Sequence, residues 1–184
     1  MLMEVDLSTY NNNWYKPGSA IKRFFWHYTN VFFFKSGMFP FYAVKVLLLK
    51  LFGAKIGNGV YIKPYVNIKY PWLLTVGNNV WIGEDVWIDN LASVNIGDNV
   101  CLSQGAFLLT GSHDHTSTSF GLIIKPIVIE NGVWVCAKSI ICAGVTCCSH
   151  ALITAGSVVT HNCDAYYIYK GNPAVKIKLR TINA

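Results

Sequence analysis

The sequence predicts a mainly β chain that winds as a parallel β-helix of short strands, and three observations predict it. Aliphatic residues recur every six positions from Ile56 onward, a spacing that fits neither the 3.6-residue period of a helix nor the two-residue period of an ordinary strand. Gly, Asn and Asp, which favour tight turns, recur between these aliphatic positions. Hydrophobic residues make up 53% of the chain and charged residues only 13%, which excludes a disordered chain and favours extensive burial or assembly.

The repeat defines the β-helix over residues 56–164. Six residues accommodate one short strand and one turn, so three hexads close a triangular coil of eighteen residues in which the first residue of each hexad points inward. Five such coils are expected. The fifteen hexad openers, all but one of them Ile, Leu or Val, are Ile56, Ile62, Ile68, Val76, Ile82, Ile88, Ile96, Leu102, Leu108, Ile129, Val135, Ile141, Cys147, Ile153 and Val159.

Residues 1–55 precede the repeat and are expected to form a capping segment of the same domain. Their aromatic and aliphatic runs predict one or two amphipathic helices over the open end of the coils, where strand edges would otherwise be unpaired. Lysines interrupt the apolar runs, so none reaches the roughly 20 residues of a membrane span. The same mixture of aromatic and basic residues in 20–52 also fits peripheral contact with an anionic membrane surface.

Charge is segregated along the chain. Residues 1–69 carry nine basic and two acidic side chains, residues 70–164 two and seven, and residues 165–184 four and none. This pattern favours a partner with phosphates near the ends of the chain, or an anionic membrane, over a continuous nucleic-acid track. No nucleic-acid partner is therefore expected.

The six cysteines and the N-terminus predict a cytoplasmic protein with reduced thiols. No C-x-x-C pair repeats, so the cysteines indicate neither a zinc ribbon nor a redox motif. Acidic Glu4 and Asp6 and the lack of an early apolar run are not typical of a signal peptide. If residues 20–52 contact a membrane, its inner face is the expected location.

The hexad period fails between Leu108 and Ile129, which predicts a loop over residues 109–126. Loops on rigid scaffolds often carry function. His113 is the candidate general base, because a neutral imidazole can accept a proton near pH 7. Asp114 could orient this imidazole or simply bond to loop amides, and His115 follows two residues on.

Several motifs resemble the hexapeptide-repeat acyltransferases, and more narrowly the colanic acid biosynthesis acetyltransferase subfamily. The resemblance covers nearly the whole chain, and it implies a left-handed β-helix, a homotrimer and acetyl-CoA as the donor, with no metal. The motifs are Phe52-Gly53-Ala54-Lys55-Ile56-Gly57, Tyr70-Pro71-Trp72, Trp81-Ile82-Gly83, Trp87-Ile88-Asp89-Asn90, Ser103-Gln104-Gly105-Ala106, Thr110-Gly111-Ser112-His113-Asp114 and Gly171-Asn172-Pro173-Ala174.

The resemblance implies an O-acetyltransferase that modifies a sugar hydroxyl in surface polysaccharide biosynthesis, with a sugar or glycolipid as acceptor. His113 then acts as the general base in a groove between neighbouring subunits, and acetyl transfers directly to the hydroxyl. Asp89 and Asn90, at a break in the repeat, are candidate acceptor contacts, but their residue types fit tight turns equally well. His115 is a further candidate acceptor contact.

The same resemblance implies a donor site near the C-terminus, where small side chains would let the pantetheine arm approach the backbone. Lys176, Lys178 and Arg180 could pair with the donor phosphates. The implied donor contacts are Ala137, Ala155, Gly156, Ser157, Thr160, His161, Gly171, Asn172, Pro173 and Lys178.

Two departures from the family pattern stand out. Position 161 is His instead of the usual Lys, which puts its phosphate contact in doubt. The second hexad place, often glycine, holds Glu130, Cys136, Cys142 and Cys148, which puts the turn geometry at those corners in doubt.

Three alternatives to sugar O-acetylation remain open at the level of sequence. A sugar N-acetyltransferase is the nearest. A zinc enzyme like the γ-type carbonic anhydrases would need three histidines around the metal, whereas only His113 and His115 are close in sequence. A catalytically silent scaffold that binds a membrane partner is the third.

Overall fold

Two α-helices precede nineteen short strands in the computed structural model, which describes residues 3–183. The helices are α1 (Ala20–Thr29) and α2 (Tyr42–Leu51), with a π turn at Asn30–Phe34 and 3₁₀ turns at Leu7–Thr9 and Pro71–Leu73. In chain order the strands are β1 (Lys55–Ile56), β2 (Tyr61–Ile62), β3 (Asn67–Ile68), β4 (Leu74–Val76), β5 (Trp81–Ile82), β6 (Trp87–Asp89), β7 (Val94–Ile96), β8 (Cys101–Leu102), β9 (Phe107–Leu109), β10 (Gly111–His113), β11 (Leu122–Ile124), β12 (Ile127–Ile129), β13 (Trp134–Val135), β14 (Ile140–Ile141), β15 (Thr146–Cys147), β16 (Leu152–Ile153), β17 (Val158–Val159), β18 (Tyr167–Gly171) and β19 (Ala174–Leu179).

Seventeen of the nineteen strands form three sheets, one on each side of a triangular coil, and β10 and β11 pair separately. Face A has the order β1-β4-β7-β12-β15, face B β19-β18-β16-β13-β8-β5-β2, and face C β17-β14-β9-β6-β3. Neighbours within each sheet are parallel, except the final pair β18–β19. The chain is therefore a parallel β-helix of five coils, as the hexad repeat predicts.

The core is a column of the hexad openers. All fifteen are buried, as predicted, and the small residues four places after them, such as Val60, Val80 and Ala106, are buried beside them. Each fully buried aliphatic side chain contributes roughly 1.5–3 kcal/mol through the hydrophobic effect. The column therefore fixes which face of every strand points inward.

Coil length differs from the predicted eighteen residues. Ile56 pairs with Val76 and Val76 with Ile96, so the first two coils take 20 residues each. Ile96 pairs with Ile129 across 33 residues, and only the step from Ile129 to Cys147 takes 18. All the extra residues lie in the turns that lead from face C to face A, where an outward insertion leaves the inward column undisturbed.

The turns place their left-handed residue at the fourth position of the hexad. Gly59, Asn79 and Asn99 have φ between 55° and 67°, and Lys138 and His150 take the same conformation at 56° and 61°. The residue at the second position of the hexad does not need a positive φ. The cysteines and the glutamate at that place are therefore compatible with regular corners.

The N-terminal segment caps the open end of the first coil, as predicted. From α1, the Trp26 indole nitrogen donates to the Ile68 carbonyl at 2.8 Å. From the π turn, Asn30 donates to Asn67 at 2.7 Å. Gly53 ends α2 in the left-handed conformation and leads into β1. The last coil is extended instead by the β18–β19 hairpin, so residues 165–184, predicted as a tail, are largely part of face B.

One buried charge lies under this cap. The Lys45 side chain of α2 is completely buried, and its Nζ donates to the Lys63 carbonyl at 2.8 Å. Burial lowers the pKa of Lys45 to about 8. Because the unfolded chain keeps a pKa near 10.5, it binds more protons than the folded chain between pH 8 and 10.5, so stability rises with pH across that window.

We predict that Lys45→Met removes this pH dependence. The free energy of unfolding of the wild type, relative to the variant, should increase by on the order of 3 kcal/mol between pH 7.5 and 10.5, because the wild type no longer buries an ammonium. Urea unfolding of both proteins at matched pH values measures the difference. Two parallel profiles would contradict the buried-charge interpretation.

Candidate active site

The three corners of the coil differ in structure. We call the turns from face A to B the AB corner, those from B to C the BC corner, and those from C to A the CA corner. All three insertions lie at the CA corner, as residues 69–73, 90–93 and 110–126. Successive insertions stack on one another, so this corner projects from an otherwise regular prism.

Two buried side chains connect these stacked insertions. The Asn90 amide accepts from the Tyr70 N–H at 2.9 Å and donates to the Tyr70 carbonyl at 2.6 Å. The Thr110 hydroxyl donates to the Asp89 carbonyl at 2.8 Å and accepts from the Ala92 N–H at 3.1 Å. Asn90 was predicted as an acceptor contact. Its amide is instead completely buried and bound to the coil below, because the insertion needs a partner for the Tyr70 peptide groups.

The largest insertion falls within the predicted loop over residues 109–126, and it contains a β-hairpin. Strands β10 and β11 are antiparallel, with His113 opposite Leu122. The Lys125 N–H donates to the Thr110 carbonyl at 3.0 Å and closes the base of the hairpin. At the tip, the Thr118 carbonyl accepts from the Asp6 N–H at 2.9 Å, so the N-terminal segment also holds the hairpin.

His113 is held by the hairpin at the end of β10. Its Nδ1 lies 2.9 Å from the Phe120 carbonyl oxygen, and its ring stacks on the Phe120 ring at 4.5 Å with an interplanar angle of 6°. A carbonyl can only accept, so Nδ1 must carry the proton of the neutral imidazole. Nε2 is then the nitrogen with the free lone pair. The Tyr10 ring, 5.7 Å away, packs against the same imidazole.

The neighbouring loop residues do not orient His113. Asp114 accepts from the backbone N–H and the hydroxyl of Thr116, at 3.0 and 2.6 Å, and these bonds lower the pKa of its carboxyl. The orienting function considered for Asp114 is instead filled by the Phe120 carbonyl, because the aspartate faces its own turn. His115 is exposed.

A groove with a volume of about 520 Å³ runs beside His113. Tyr15 lies in it, with its hydroxyl donating to the Leu91 carbonyl at 2.8 Å. Burial and the neighbouring Tyr70 and Asp89 raise the pKa of Tyr15, so its phenol stays protonated. The residues lining the groove are Tyr10, Asn12, Tyr15, Lys16, Pro17, Gly18, Arg23, Lys69, Tyr70, Leu91, His113 and Leu122.

Asp89, the other predicted acceptor contact, lies next to this groove. The Lys69 ammonium is 2.9 Å from Asp89 Oδ1, but the contact lacks hydrogen-bond geometry, and this buried oxygen has no hydrogen-bond partner within residues 3–183. The pair therefore provides one cation and one buried acceptor atom at the CA corner. The half-exposed Lys69 ammonium can bind the hydroxyl groups of a ligand, whereas Asp89 Oδ1 is enclosed and pairs with that ammonium.

Sequence reasoning missed Tyr10, Tyr15, Arg23 and Lys69 as site residues. Lys69 had a detectable signal, since it lies one 20-residue coil before Asp89 and therefore directly beneath it. The other three come from the N-terminal segment, which was assigned only a capping function. No local pattern indicates that this segment returns to His113.

Most of the predicted donor contacts lie at a different corner. Ala137 and Gly156 are stacked at the BC corner, where the Gly156 N–H donates to the Ala137 carbonyl at 2.9 Å. Ala155 is exposed beside them. The turn 171–173, which holds Gly171, Asn172 and Pro173, is the next layer, because the Gly171 N–H donates to the Ser157 hydroxyl at 3.1 Å. Ser157 is itself buried and so supports the corner from inside.

Thr160 and His161 are separated from this group. They follow β17 and therefore belong to the CA corner, and Thr160 Oγ1 lies 2.9 Å from His161 Nδ1. Both side chains are exposed. Nine of the ten predicted donor contacts thus divide between two corners of the same chain, and the tenth, Lys178, lies on β19 of face B.

The three basic residues predicted to bind donor phosphates differ in their surroundings. Lys176 pairs with Asp164 at 2.6 Å and lies 4.1 Å from the Tyr167 ring centroid. The Arg180 guanidinium donates to backbone carbonyls at the AB corner, including that of Gly132 at 3.0 Å. Lys178 is exposed on β19 and makes no ion pair within residues 3–183. Of the three, Lys178 has the ammonium best placed to meet an external anion.

No cysteine lies within the β10–β11 hairpin. All six are unpaired. Burial raises the pKa of the Cys136, Cys142 and Cys148 thiols, and the hydrogen bond with Cys163, together with burial, raises the pKa of the Cys147 thiol. Within the described part of the chain, no three His, Cys, Asp or Glu residues lie together as a metal site would require.

No helix among residues 3–183 is both long and apolar enough to cross a bilayer.

Comparison with known proteins matches this architecture. The hexad repeat and the three-sided parallel β-helix define the class of hexapeptide-repeat proteins. The chain is 39% identical over 166 residues to the "Putative colanic acid biosynthesis acetyltransferase WcaF" of Escherichia coli (strain K12), covering 90% of this chain and 91% of that protein. The chain therefore belongs to the WcaF family of acetyltransferases. No family model matches the sequence.

More distant relatives are also acetyltransferases. The galactoside O-acetyltransferase of Escherichia coli (strain K12) is 29% identical over 71% of this chain and 66% of its own length. A solved galactoside acetyltransferase in complex with coenzyme A superposes with a TM-score of 0.79 at 27% identity, covering 88% of this chain and 82% of the other. A hexapeptide-repeat acetyltransferase of Vibrio cholerae O1 biovar eltor, complexed with acetyl coenzyme A, shares the fold with a TM-score of 0.82 at 22% identity, covering 91% and 93%.

Proposed function

We propose that this protein is an acetyl-CoA-dependent O-acetyltransferase that modifies a sugar hydroxyl during surface polysaccharide biosynthesis. The observation that carries the proposal is the 2.9 Å contact between His113 Nδ1 and the Phe120 carbonyl, which leaves Nε2 as a free base in a groove. The name of the WcaF relative and the coenzyme A complexes of related folds support the acceptor class and the donor.

The reaction is a direct transfer. His113 Nε2 takes the proton from the acceptor hydroxyl while its oxygen attacks the thioester carbonyl carbon of acetyl-CoA. The new C–O bond forms, the C–S bond breaks, and the proton passes from the imidazolium to the departing thiolate. No cysteine adjoins His113, so no acyl-enzyme intermediate is required.

The division of the site between corners supports a shared site in a homotrimer. His113 is at the CA corner, whereas Ala137, Gly156 and the turn 171–173 are at the BC corner. A cyclic trimer brings different surfaces of neighbouring subunits together. We propose that the donor lies between the CA corner of one subunit and the BC corner of the next.

An oxygen acceptor is supported over a nitrogen acceptor by the relatives. The galactoside O-acetyltransferase matches at 29% identity, and a solved maltose O-acetyltransferase from Clostridium difficile 630 superposes at 25% identity with a TM-score of 0.72. An N-acyltransferase from Bacillus cereus superposes less well, with a TM-score of 0.60 at 21% identity.

We predict that His113→Ala lowers the rate of acetyl transfer by about 10²–10⁴-fold, because the hydroxyl loses its base. Acetyl-CoA binding and the oligomeric state should be unchanged. Ser112→Ala is the matched control, since it changes an exposed side chain at the preceding position of β10 and not the imidazole. Release of free coenzyme A thiol in the presence of a saccharide acceptor measures the rate. Near-normal turnover in the His113 variant, or equal losses in both variants, would overturn the assignment.

We also propose that the cap of residues 20–52 contacts an anionic membrane at its cytoplasmic face. Apolar side chains on the outside of the cap are highly exposed, with Ile21 at 72%, Phe25 at 59% and Leu51 at 71%. Basic Lys22 and Lys50 adjoin them, and residues 7–83 contain neither Asp nor Glu. Exposed aromatic residues combined with an uncompensated positive charge suit an anionic lipid surface.

This contact predicts charge-dependent vesicle binding. The protein should sediment with vesicles of phosphatidylglycerol and phosphatidylcholine, but not with phosphatidylcholine alone, and raised salt should release it. Ile21→Ser combined with Phe25→Ser should abolish binding, whereas the control Lys55→Gln on face A should not. Equal binding to both vesicle types would contradict recognition of an anionic membrane. Dissociation of the oligomer by the double variant would instead assign this surface to a contact between subunits.

A further inference from the structure

A second groove extends the cleft beside His113 towards α1. It has a volume of about 570 Å³ and lies between α1 and the first coils of face C. Arg23, Lys69 and Tyr70 line both grooves, so the two adjoin each other. Each volume is within the range of about 300–1,000 Å³ that holds a drug-sized ligand. The cleft therefore has room for more than the sugar unit that meets His113.

The second groove is rich in positive charge. Arg23, Lys35 and Lys69 line it, and Asp89 is the one carboxylate among its lining residues. Asp89 is already paired with Lys69. Arg23 and Lys35 make no ion pair within residues 3–183, so two cations remain uncompensated. An anionic group is the ligand that these two side chains can bind.

The walls of the groove are aromatic. Phe24 and Tyr28 of α1 and Trp87 of face C line it, and all three rings are exposed. Trp87 is supported from the next coil by Phe107, whose ring stacks on it at 4.7 Å with an interplanar angle of 16°. Cations beside flat apolar rings suit a ligand that carries a phosphate next to a sugar ring or a hydrocarbon chain.

We propose that the acceptor is a saccharide carried on a phosphate or diphosphate, with the reacting sugar beside His113 and the phosphate between Arg23 and Lys35. This inference rests on the proposed function, because it places the acceptor in the cleft that ends at the catalytic base. Nucleotide-linked sugars and polyprenyl-linked sugars both carry such a phosphate or diphosphate, so either kind of acceptor fits this site. The acceptor's hydroxyl reacts as described above, and its phosphate is not consumed.

Binding of inorganic pyrophosphate to the acetyl-CoA-saturated protein tests the phosphate site without knowledge of the sugar. Saturation with acetyl-CoA occupies the donor's own phosphate contacts. Titration calorimetry should show one pyrophosphate bound per chain, and the double variant Arg23→Gln, Lys35→Gln should weaken binding by at least about tenfold. Lys50→Gln is the matched control, since this exposed lysine of α2 does not line the groove. No binding to the wild type, or equal binding by all three proteins, would overturn the inference.

Turnover with matched acceptors separates this inference from the proposed function. Hexoses are offered free, as methyl glycosides, as UDP-hexoses and as farnesyl-diphosphate-linked hexoses. Preference for either phosphate-linked class, lost in the double variant, supports the inference and identifies the carrier. Equal use of free and phosphate-linked sugars overturns the inference and leaves the proposed function standing. A protein that binds acetyl-CoA but acetylates no saccharide contradicts the proposed function itself.

Discussion

Backbone hydrogen bonds between successive coils, closed around a column of buried aliphatic side chains, determine where this chain can carry chemistry. Every strand must pair with the strand above and below while its opener stays inside, so extra residues can enter only at a corner. All of them enter at the CA corner. The insertions interrupt the backbone pairing between coils at this corner. The buried side chains of Asn90 and Thr110 provide hydrogen bonds for the backbone groups that would otherwise be unpaired in the interior.

The same rigidity holds in place the imidazole to which we assign base catalysis. The hairpin fixes His113, and of the two neutral tautomers the Phe120 carbonyl selects the one with its proton on Nδ1. The N-terminal segment reaches the same place, through the Asp6 contact to the hairpin tip and the Tyr10 ring on the imidazole. The cap therefore has a second function beyond covering the first coil, because it forms one wall of the cleft in which an acceptor would lie.

The sequence predicts the repeating parts of the molecule well, because each hexad opener is a local signal for an inward-facing position. The coils, the cap and the position of His113 follow from such signals. The β10–β11 hairpin, the orienting carbonyl of Phe120 and the contributions of Tyr15 and Arg23 do not, because they depend on contacts between segments far apart in the chain. Asn90 illustrates the ambiguity, since an asparagine at a break in a repeat fits a ligand contact as well as a corner, and only its two bonds to Tyr70 distinguish them.

The central claim is that one active site needs the CA corner of one subunit and the BC corner of another. Subunit mixing tests it most directly. His113→Ala removes the base, and Ala155→Trp fills the exposed donor corner with a bulky ring, so each variant alone should be inactive. The two variants are then co-expressed, or reassembled in equal amounts, as mixed trimers. About one site in four should combine an intact His113 from one subunit with an open donor corner from its neighbour, so about a quarter of the wild-type activity should return. Mixed trimers that remain as inactive as their parents would contradict the shared site.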